Sequence, residues 1–245
     1  MAQATNTKKK ATTPGTPRRR HHEILETSAR VFHEKGYQAT SIQDIADEVG
    51  ILKGSLYYYI SSKEDLLYEI IHEVHQQALR VIDEVDKVDG DPLQKIRAFA
   101  FLHVTFNIEN RLWVGVFFND FRSLSEERRA VIVKERDEYG RYLRGLIRLG
   151  QEEGVVCPDV DPKLISLAIL DMLNFIFHWY RPGGERSAAA VAQAYADFVV
   201  AGLACSPATH VPGHRAELAA VVRDGVDVGA GANGRKRPRS SRRPS

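Results

Sequence analysis

A chain of 245 residues, 43% of them apolar, is long enough to bury one small core and one larger one. Two cysteines, Cys157 and Cys205, exclude a disulfide framework or a Cys-rich metal site and suit a reducing cytoplasm, and no apolar run reaches the ~18 residues of a membrane span. The net charge of +2 hides a partition: six bases and no acid in residues 1–20, six bases and no acid in 235–245, and 22 bases against 32 acids between them, so polyanion is touched at selected places only.

In chain order, residues 1–17 hold Ala, Thr, Gln, Lys, Pro and Gly with nothing to bury, and read as a disordered basic arm, not a secretory signal. A first helix is expected from Arg19 to Lys35, with Ile24, Leu25, Ala29 and Phe32 inward and Gly36 ending it. Thr40 is then a candidate N-cap with Gln43 as its capping-box partner. Ile42, Ile45, Ala46 and Val49 share one helical face, and Gly50 supplies the left-handed stop. A second helix follows from Lys53 to Ile60, with Leu56 and Ile60 inward. Its outer face carries Lys53, Gly54, Ser55, Tyr57, Tyr58 and Tyr59, and three consecutive tyrosines fan over roughly 200° and cannot all be core. Two short helices and a Gly-containing turn over 41–60 form a helix-turn-helix. A lysine and several hydroxyls suit phosphate oxygens, and a few such groups reach base edges in a major groove. The candidate DNA contacts are Thr40, Ser41, Gln43, Lys53, Gly54, Ser55, Tyr57, Tyr58, Tyr59 and Lys63, with Gln43 and Lys53 on bases and Tyr57 and Lys63 on phosphates.

From Lys63 a strongly periodic helix runs to about Asp86 through Leu66, Ile70, Val74 and Val81, and joins head to body. His72 and His75, one turn apart on it, read as a solvated face and not a metal site. Asp89-Gly90-Asp91-Pro92 makes a turn, and helices are expected over 93–110 and 112–123, both rich in aromatics. A charged helix opens at Ser125 and stops at Gly154. Asp161-Pro162 starts the most apolar stretch, Leu164 to Tyr180, read as one segment buried on two sides, and a last helix spans Ser187 to Ala204. After Pro207 the composition loosens into a second basic, disordered tail over 206–245. The fold class is all-α: a three-helix head over 18–78 and an all-helical body over 79–205.

Residues 18–78 resemble the DNA-binding domain of the TetR family of bacterial repressors. The likeness lies in Ala29-x-x-Phe32, Glu34-Lys35-Gly36-Tyr37, Thr40-Ser41-Ile42, Asp44-Ile45-Ala46, Gly50-Ile51, Gly54-Ser55-Leu56-Tyr57 and Ser62-Lys63-Glu64-Asp65-Leu66. It implies that the body over 79–205 is an effector-binding and dimerisation domain, and that the homodimer, paired through its last two helices, places two heads on a palindromic double-stranded operator. On that pairing, Leu167, Trp179, Tyr195 and Phe198 are the candidate interface residues. His178 to Gly184, with the Gln151-Glu152-Glu153-Gly154 turn, is similar to actinobacterial members that control lipid and sterol-ring catabolism and answer to acyl-CoA thioesters. That resemblance is incomplete, because Leu170 and Asn174 stand where those members carry an arginine and a tryptophan.

A small hydrophobic effector is therefore expected among Phe99, Leu102, His103, Phe106, Trp113, Phe117, Phe121, Leu170, Asn174 and His178, against the helix that begins at Lys63, with Arg144, Arg148 and Arg181 available to phosphates. An acyl-CoA thioester and a multidrug-type ligand of an efflux repressor remain the two effector classes. No cofactor is expected, and no Gly elbow, phosphate loop, His-Glu-x-x-His or paired-Cys motif marks an enzyme. The acidic body argues against a DNA-coating role, which needs positive charge spread over the surface.

Overall fold

The computed structural model describes residues 17–204, and every regular element among them is a helix. The expected basic arm and basic tail lie outside the described residues, except that Pro17 opens the first helix. Ile24, Leu25, Ala29 and Phe32 of α1 (Pro17–Lys35) face inward as their spacing predicts, and all are buried. Ser41, and not Thr40, caps α2 (Ile42–Val49): its side chain accepts from the Asp44 amide, while the Asp44 carboxylate accepts from the Ser41 amide. The capping box expected one residue earlier at Thr40 and Gln43 is thereby corrected. Thr40 is buried, and its hydroxyl donates to the Gly36 carbonyl at 2.8 Å. Gly50 ends α2 at φ 75°, a conformation that costs glycine nothing.

α3 (Lys53–Leu56) is shorter than expected. Residues 57–59 continue it as a tight turn, in which Tyr59 N bonds Leu56 O at 2.9 Å, so Leu56 and Ile60 still reach the core together. α4 (Lys63–Asp86) is capped by the Ser62 side chain and runs unbroken for 24 residues. Its Leu66, Leu67, Ile70, Ile71 and Val74 belong to the core shared with α1 and α2, whereas Val81 and Val85 belong to the core of the body.

The body comprises α5 (Pro92–Glu109), α6 (Arg111–Asp120), α7 (Glu126–Glu152), α8 (Pro162–Asn174), α9 (Ile176–Trp179) and α10 (Ala188–Leu203), with a 3-10 turn at Phe121–Ser123. Asp91 and Pro92 start α5 with a capping box, as the turn residues predict. The apolar stretch 164–180 is two helices and not one. The chain breaks at Phe175, which sends Ile176 into the body core while Phe177 stacks on Phe118 with ring centres 5.5 Å apart. α10 presents Val191, Ala192, Ala196, Val199 and Leu203 to the same core as Ile96, Phe99, Ala100 and Val104 of α5.

The head core does not close on itself. Val114, Val116 and Phe117 of α6 and Ile132 of α7 complete it, and α6 passes so near α1 that a methyl group at Gly115 would lie 2.9 Å from His33 Nδ1. The turn before α7 adds polar ties. The Ser125 amide donates to Glu64 Oε1 at 2.9 Å, Gln38 donates to the Ser123 hydroxyl at 3.1 Å, and Arg128 pairs with Asp65 and lies over the Tyr68 ring.

Lys63 closes the corner between α1 and α2. Its ammonium donates to the carbonyls of Tyr37 (2.9 Å) and Thr40 (2.8 Å) and sits 4.3 Å from the centre of the Tyr37 ring. Both carbonyls belong to buried residues, so Lys63→Met leaves them without that donor and is expected to destabilise the free protein by about 1–3 kcal/mol. A urea midpoint unchanged from wild type, measured without DNA, would refute this structural role.

Candidate nucleic-acid interface and ligand cavity

The outer face of the head is assembled from the end of the corner and the turn between α2 and α3. Ser41, Gln43, Lys53, Gly54, Tyr57 and Tyr58 are exposed on it, and Ser55 and Tyr59 are half-buried. Tyr58 is 89% exposed, whereas Tyr59 packs on the head core, which separates two tyrosines that the sequence presents alike. Thr40 and Lys63 are turned inward, and two of the three ammonium protons of Lys63 are held by protein carbonyls. Both shape the corner from behind. Asp44 is held well below the usual carboxylate range, first by the Ser41 hydroxyl and then by the Ser41 amide and Lys35. Gln43 donates to Asp47 at 2.7 Å within α2. Leu52, 79% exposed beside Lys53, was missed by the sequence reading. An aliphatic side chain on that face matches a thymine methyl group, but nothing in its sequence position separates it from an ordinary core leucine.

Behind the head, α4, α5, α6, α7 and α8 enclose a cavity of about 270 Å³. The expected residues His103, Phe106, Phe117, Leu170 and Asn174 line it, and Val74, His75 and Ala78 place it against α4 as anticipated. The other five expected residues do not line it. Phe99 is fully buried in the body core behind the cavity, stacked on His103, and Leu102 packs on the same core. Trp113 stacks on His22 of α1 at the joint with the head, and Phe121 packs on the head core with Arg136 over its ring. His178 borders a shallower surface groove that shares Phe118, Asp171 and Asn174 with the cavity. The aromatic richness of 93–123 therefore serves three places and not one.

Inside the cavity the polar groups divide into satisfied and unsatisfied. His103 is bonded at both nitrogens, Nδ1 to the Tyr139 hydroxyl and Nε2 to Asn174 Oδ1, each at 2.8 Å. The amide oxygen can only accept, so Nε2 carries the proton and the Tyr139 hydroxyl donates to Nδ1. Burial pushes the His103 imidazole down to about 4, with the Asn174 bond opposing it, and burial also raises the Tyr139 phenol well above its ordinary value. His75 Nε2 and Arg144 Nε, in contrast, are buried and have no hydrogen-bond partner among the described residues. Burial holds the His75 ring below its ordinary range, against the pull of Glu135.

The sequence places His75 with His72 on a solvated face, and the structure differs. His75 is 6% exposed, four residues after the buried Ile71 and so on the inward stripe of α4, a signal the periodicity did contain. His72 instead faces Glu135 at 3.4 Å. Tyr139 and Gly140 are hidden by the charged pattern of α7, whereas Arg144, expected to be available to phosphates, lines the cavity. Among the described residues no group of three or more His, Cys, Asp or Glu side chains is placed to hold a metal, and no helix is long and apolar enough to cross a membrane.

A second surface lies on α8, α9 and α10. Leu164, Leu167, Phe175, Trp179 and Phe198 are exposed there, Phe198 at 67%, and Trp179 stacks on Tyr195. Leu167 also reaches the cavity wall.

These features have close counterparts. Residues 24–70 match the model of bacterial regulatory proteins of the tetR family, and residues 89–203 match that of the tetracyclin repressor-like C-terminal domain. The HTH-type transcriptional repressor KstR2 of Mycolicibacterium smegmatis is 31% identical over 193 residues, covering 78% of this chain and 94% of that protein. The structure of the ketosteroid transcriptional regulator KstR2 of Mycobacterium tuberculosis is 28% identical and superposes with a TM-score of 0.72, covering 79% of this chain and 98% of the other. AibR, solved in complex with isovaleryl coenzyme A and operator DNA, is 28% identical with a TM-score of 0.65, covering 74% of this chain and 96% of the other.

The buried imidazole makes stability depend on pH. Above the ordinary value of 6.5, His103 is neutral in folded and unfolded chains alike and costs nothing. Between 6.5 and about 4 only the unfolded chain takes up the proton, so acid favours unfolding by up to ~1.4 kcal/mol per pH unit. His75 acts in the same direction. The urea midpoint is expected to fall from pH 7 to pH 5, and His103→Gln to reduce that slope. An identical slope in the variant counts against this assignment.

Proposed function

The chain belongs to the TetR family of bacterial regulatory proteins, and from that premise we propose a homodimeric repressor of a palindromic operator, released by a small hydrophobic effector of the acyl-thioester class. It is a TetR-type transcriptional repressor, a regulator and not an enzyme. The observation that carries the effector reading is the cavity against α4, because that helix is continuous from the DNA-binding head to the body. A ligand shifts the equilibrium only by its difference in affinity for the two states, and ~100-fold release needs ~2.7 kcal/mol. Burial of ~100 Å² of apolar ligand surface, at ~25 cal/mol/Å², supplies that if the DNA-bound state closes the cavity.

An apolar cavity joined by shared residues to an open groove suits an acyl group inside with a polar carrier outside. The pairing of isovaleryl coenzyme A with operator DNA in AibR, and the ketosteroid regulator KstR2, support the same class for this chain. Leu170 and Asn174, where the resemblance led to an arginine and a tryptophan, both line the cavity, so this chain's effector differs in the part that meets α8. On the head, Ser41, Gln43, Lys53, Gly54, Ser55, Tyr57 and Tyr58 form the DNA face, with Tyr59, Thr40 and Lys63 holding its shape.

The exposed apolar face of α8 to α10 is the proposed dimer contact. Phe198→Glu should fold as wild type, since the side chain is 67% exposed in the single chain, but sediment as a monomer that binds operator poorly. An intact dimer in this variant counts against the interface.

The effector class is tested by fluorescence anisotropy on a duplex carrying the palindrome beside the chain's own gene. Fatty acids, steroid acids and their coenzyme A thioesters are added in turn. The thioesters are expected to release the duplex at lower concentration than the free acids. Release by cationic drugs alone would replace the acyl reading with that of a multidrug sensor.

A further inference from the structure

Among the described residues of the head, three large apolar side chains stand in water: Leu52, Tyr57 and Tyr58. Leu52 alone of these is aliphatic, and it is 79% exposed. A lone leucine on a protein surface is ordinary, but the turn that carries this one is held on both sides. Gly50 reverses the chain at φ 75°, the Ile51 amide donates to the Ala46 carbonyl at 2.9 Å, and Ile51 packs on the head core. The Leu52 carbonyl then accepts from the amides of Ser55 (2.9 Å) and Leu56 (3.2 Å), and Leu56 is fully buried. The Leu52 side chain is thus kept at a fixed point of the reading surface, beside Lys53, while it serves neither the core nor a cap. We propose that Leu52 is a specificity-determining residue of the operator contact, packing on the methyl group of a thymine in each half-site. The inference rests on the reading of this surface as the DNA face.

Chemical complementarity selects the thymine. Base edges in the major groove present donors and acceptors, and the thymine methyl is the apolar group among them. Ser41, Gln43, Lys53, Ser55 and Tyr57 carry donors or acceptors of their own and can answer polar edges and phosphates. Leu52 has neither. Laid against an exocyclic amino group, a guanine oxygen or a phosphate, it takes a polar group out of water without a partner, which costs affinity. Against a methyl group it buries apolar surface on both molecules. One side chain therefore favours thymine and penalises the other bases at the same point. Gly54, two residues on, has open space where a side chain would be, which lets this stretch of backbone come close to the bases.

The test uses a duplex that the full wild-type chain selects from a pool of random double-stranded DNA. Each thymine of its half-site is replaced in turn, in both halves together, by deoxyuridine, which removes the methyl group and keeps every hydrogen bond. Binding is read by fluorescence anisotropy. At one position the exchange should weaken wild-type binding by roughly fourfold per methyl group, and so by roughly fifteenfold for the pair. In Leu52→Ala, thymine and uracil at that position should bind alike, whereas Leu52→Met, which keeps an apolar side chain, should retain part of the difference. Leu52→Ser should also lose the difference, yet keep a urea midpoint no lower than wild type, because its hydroxyl can cap α3. Lowered midpoints in both Leu52→Ala and Leu52→Ser would make the leucine structural and overturn the proposal. It is overturned as well if no thymine responds to loss of its methyl group, or if the response persists undiminished in Leu52→Ala and Leu52→Ser; weaker binding by Lys53→Ala then shows that the DNA face itself stands. If wild type selects no duplex, or if Leu52→Ala, Lys53→Ala and Tyr57→Phe all bind the selected duplex as wild type does, the reading of the DNA face fails, and the thymine contact with it.

Discussion

A single helix has to satisfy three environments at once, and the rest of the molecule is arranged around that constraint. The first half of α4 supplies the core of the head, its middle turn forms the cavity wall at Val74, His75 and Ala78, and its last turns enter the body core at Val81 and Val85. A backbone ladder of 24 residues, roughly 36 Å long, does not bend freely. Whatever moves its middle must therefore move its first turn, and that turn carries Lys63, on which the α1–α2 corner is hung. The corner in turn sets Ser41 and the start of α2.

The first turn of α4 is held from behind as well. Glu64 and Asp65 favour the positive end of the helix dipole, and the same carboxylates receive the Ser125 amide and Arg128 from the body. Both are held below the usual carboxylate range, Glu64 chiefly by that amide and Asp65 by its bonds to Arg128 and Ser62, which outweigh its burial. The apolar part of the joint is larger. Val114, Val116, Phe117, Leu124 and Ile132 finish a core that α1 to α4 leave open, and Gly115 lets α6 approach α1. Phe117 belongs both to this joint and to the cavity wall, so a ligand that displaces its ring acts on the head through α6 as well as through α4. The head is then coupled to the cavity by two adjoining routes, one covalent and one packed.

The cavity contrasts two ways of burying a polar group. His103, Tyr139 and Asn174 form a closed chain of hydrogen bonds from three different helices, which fixes their geometry and keeps the imidazole neutral. His75 and Arg144 are buried without such a chain. The first arrangement stiffens the wall; the second leaves buried hydrogen-bonding capacity unused by the fold.

Sequence alone determined the all-helical class, the helix-turn-helix and the continuous α4, because these rest on local periodicity, caps and a left-handed glycine that each few residues carry by themselves. It also placed Tyr57, Tyr58 and Tyr59 together on an outer face, since three tyrosines in succession cannot all be core, but it did not separate Tyr59, which packs on the head core, from the other two. Only the tertiary structure decided which polar side chain caps α2, because Thr40 and Ser41 are equivalent candidates until the Gly36 carbonyl claims one of them. It likewise turned the Lys63 ammonium inward, onto carbonyls that are distant in sequence. Half of the expected cavity residues went elsewhere for the same reason. An aromatic in an apolar helix is drawn to any dry surface, and whether that surface is a core, a joint or a cavity depends on the helix packed opposite. His75, Tyr139 and Arg144 meet only when α4 and α7 are brought together, 64 residues apart at His75 and Tyr139, and no pattern within either helix records that meeting.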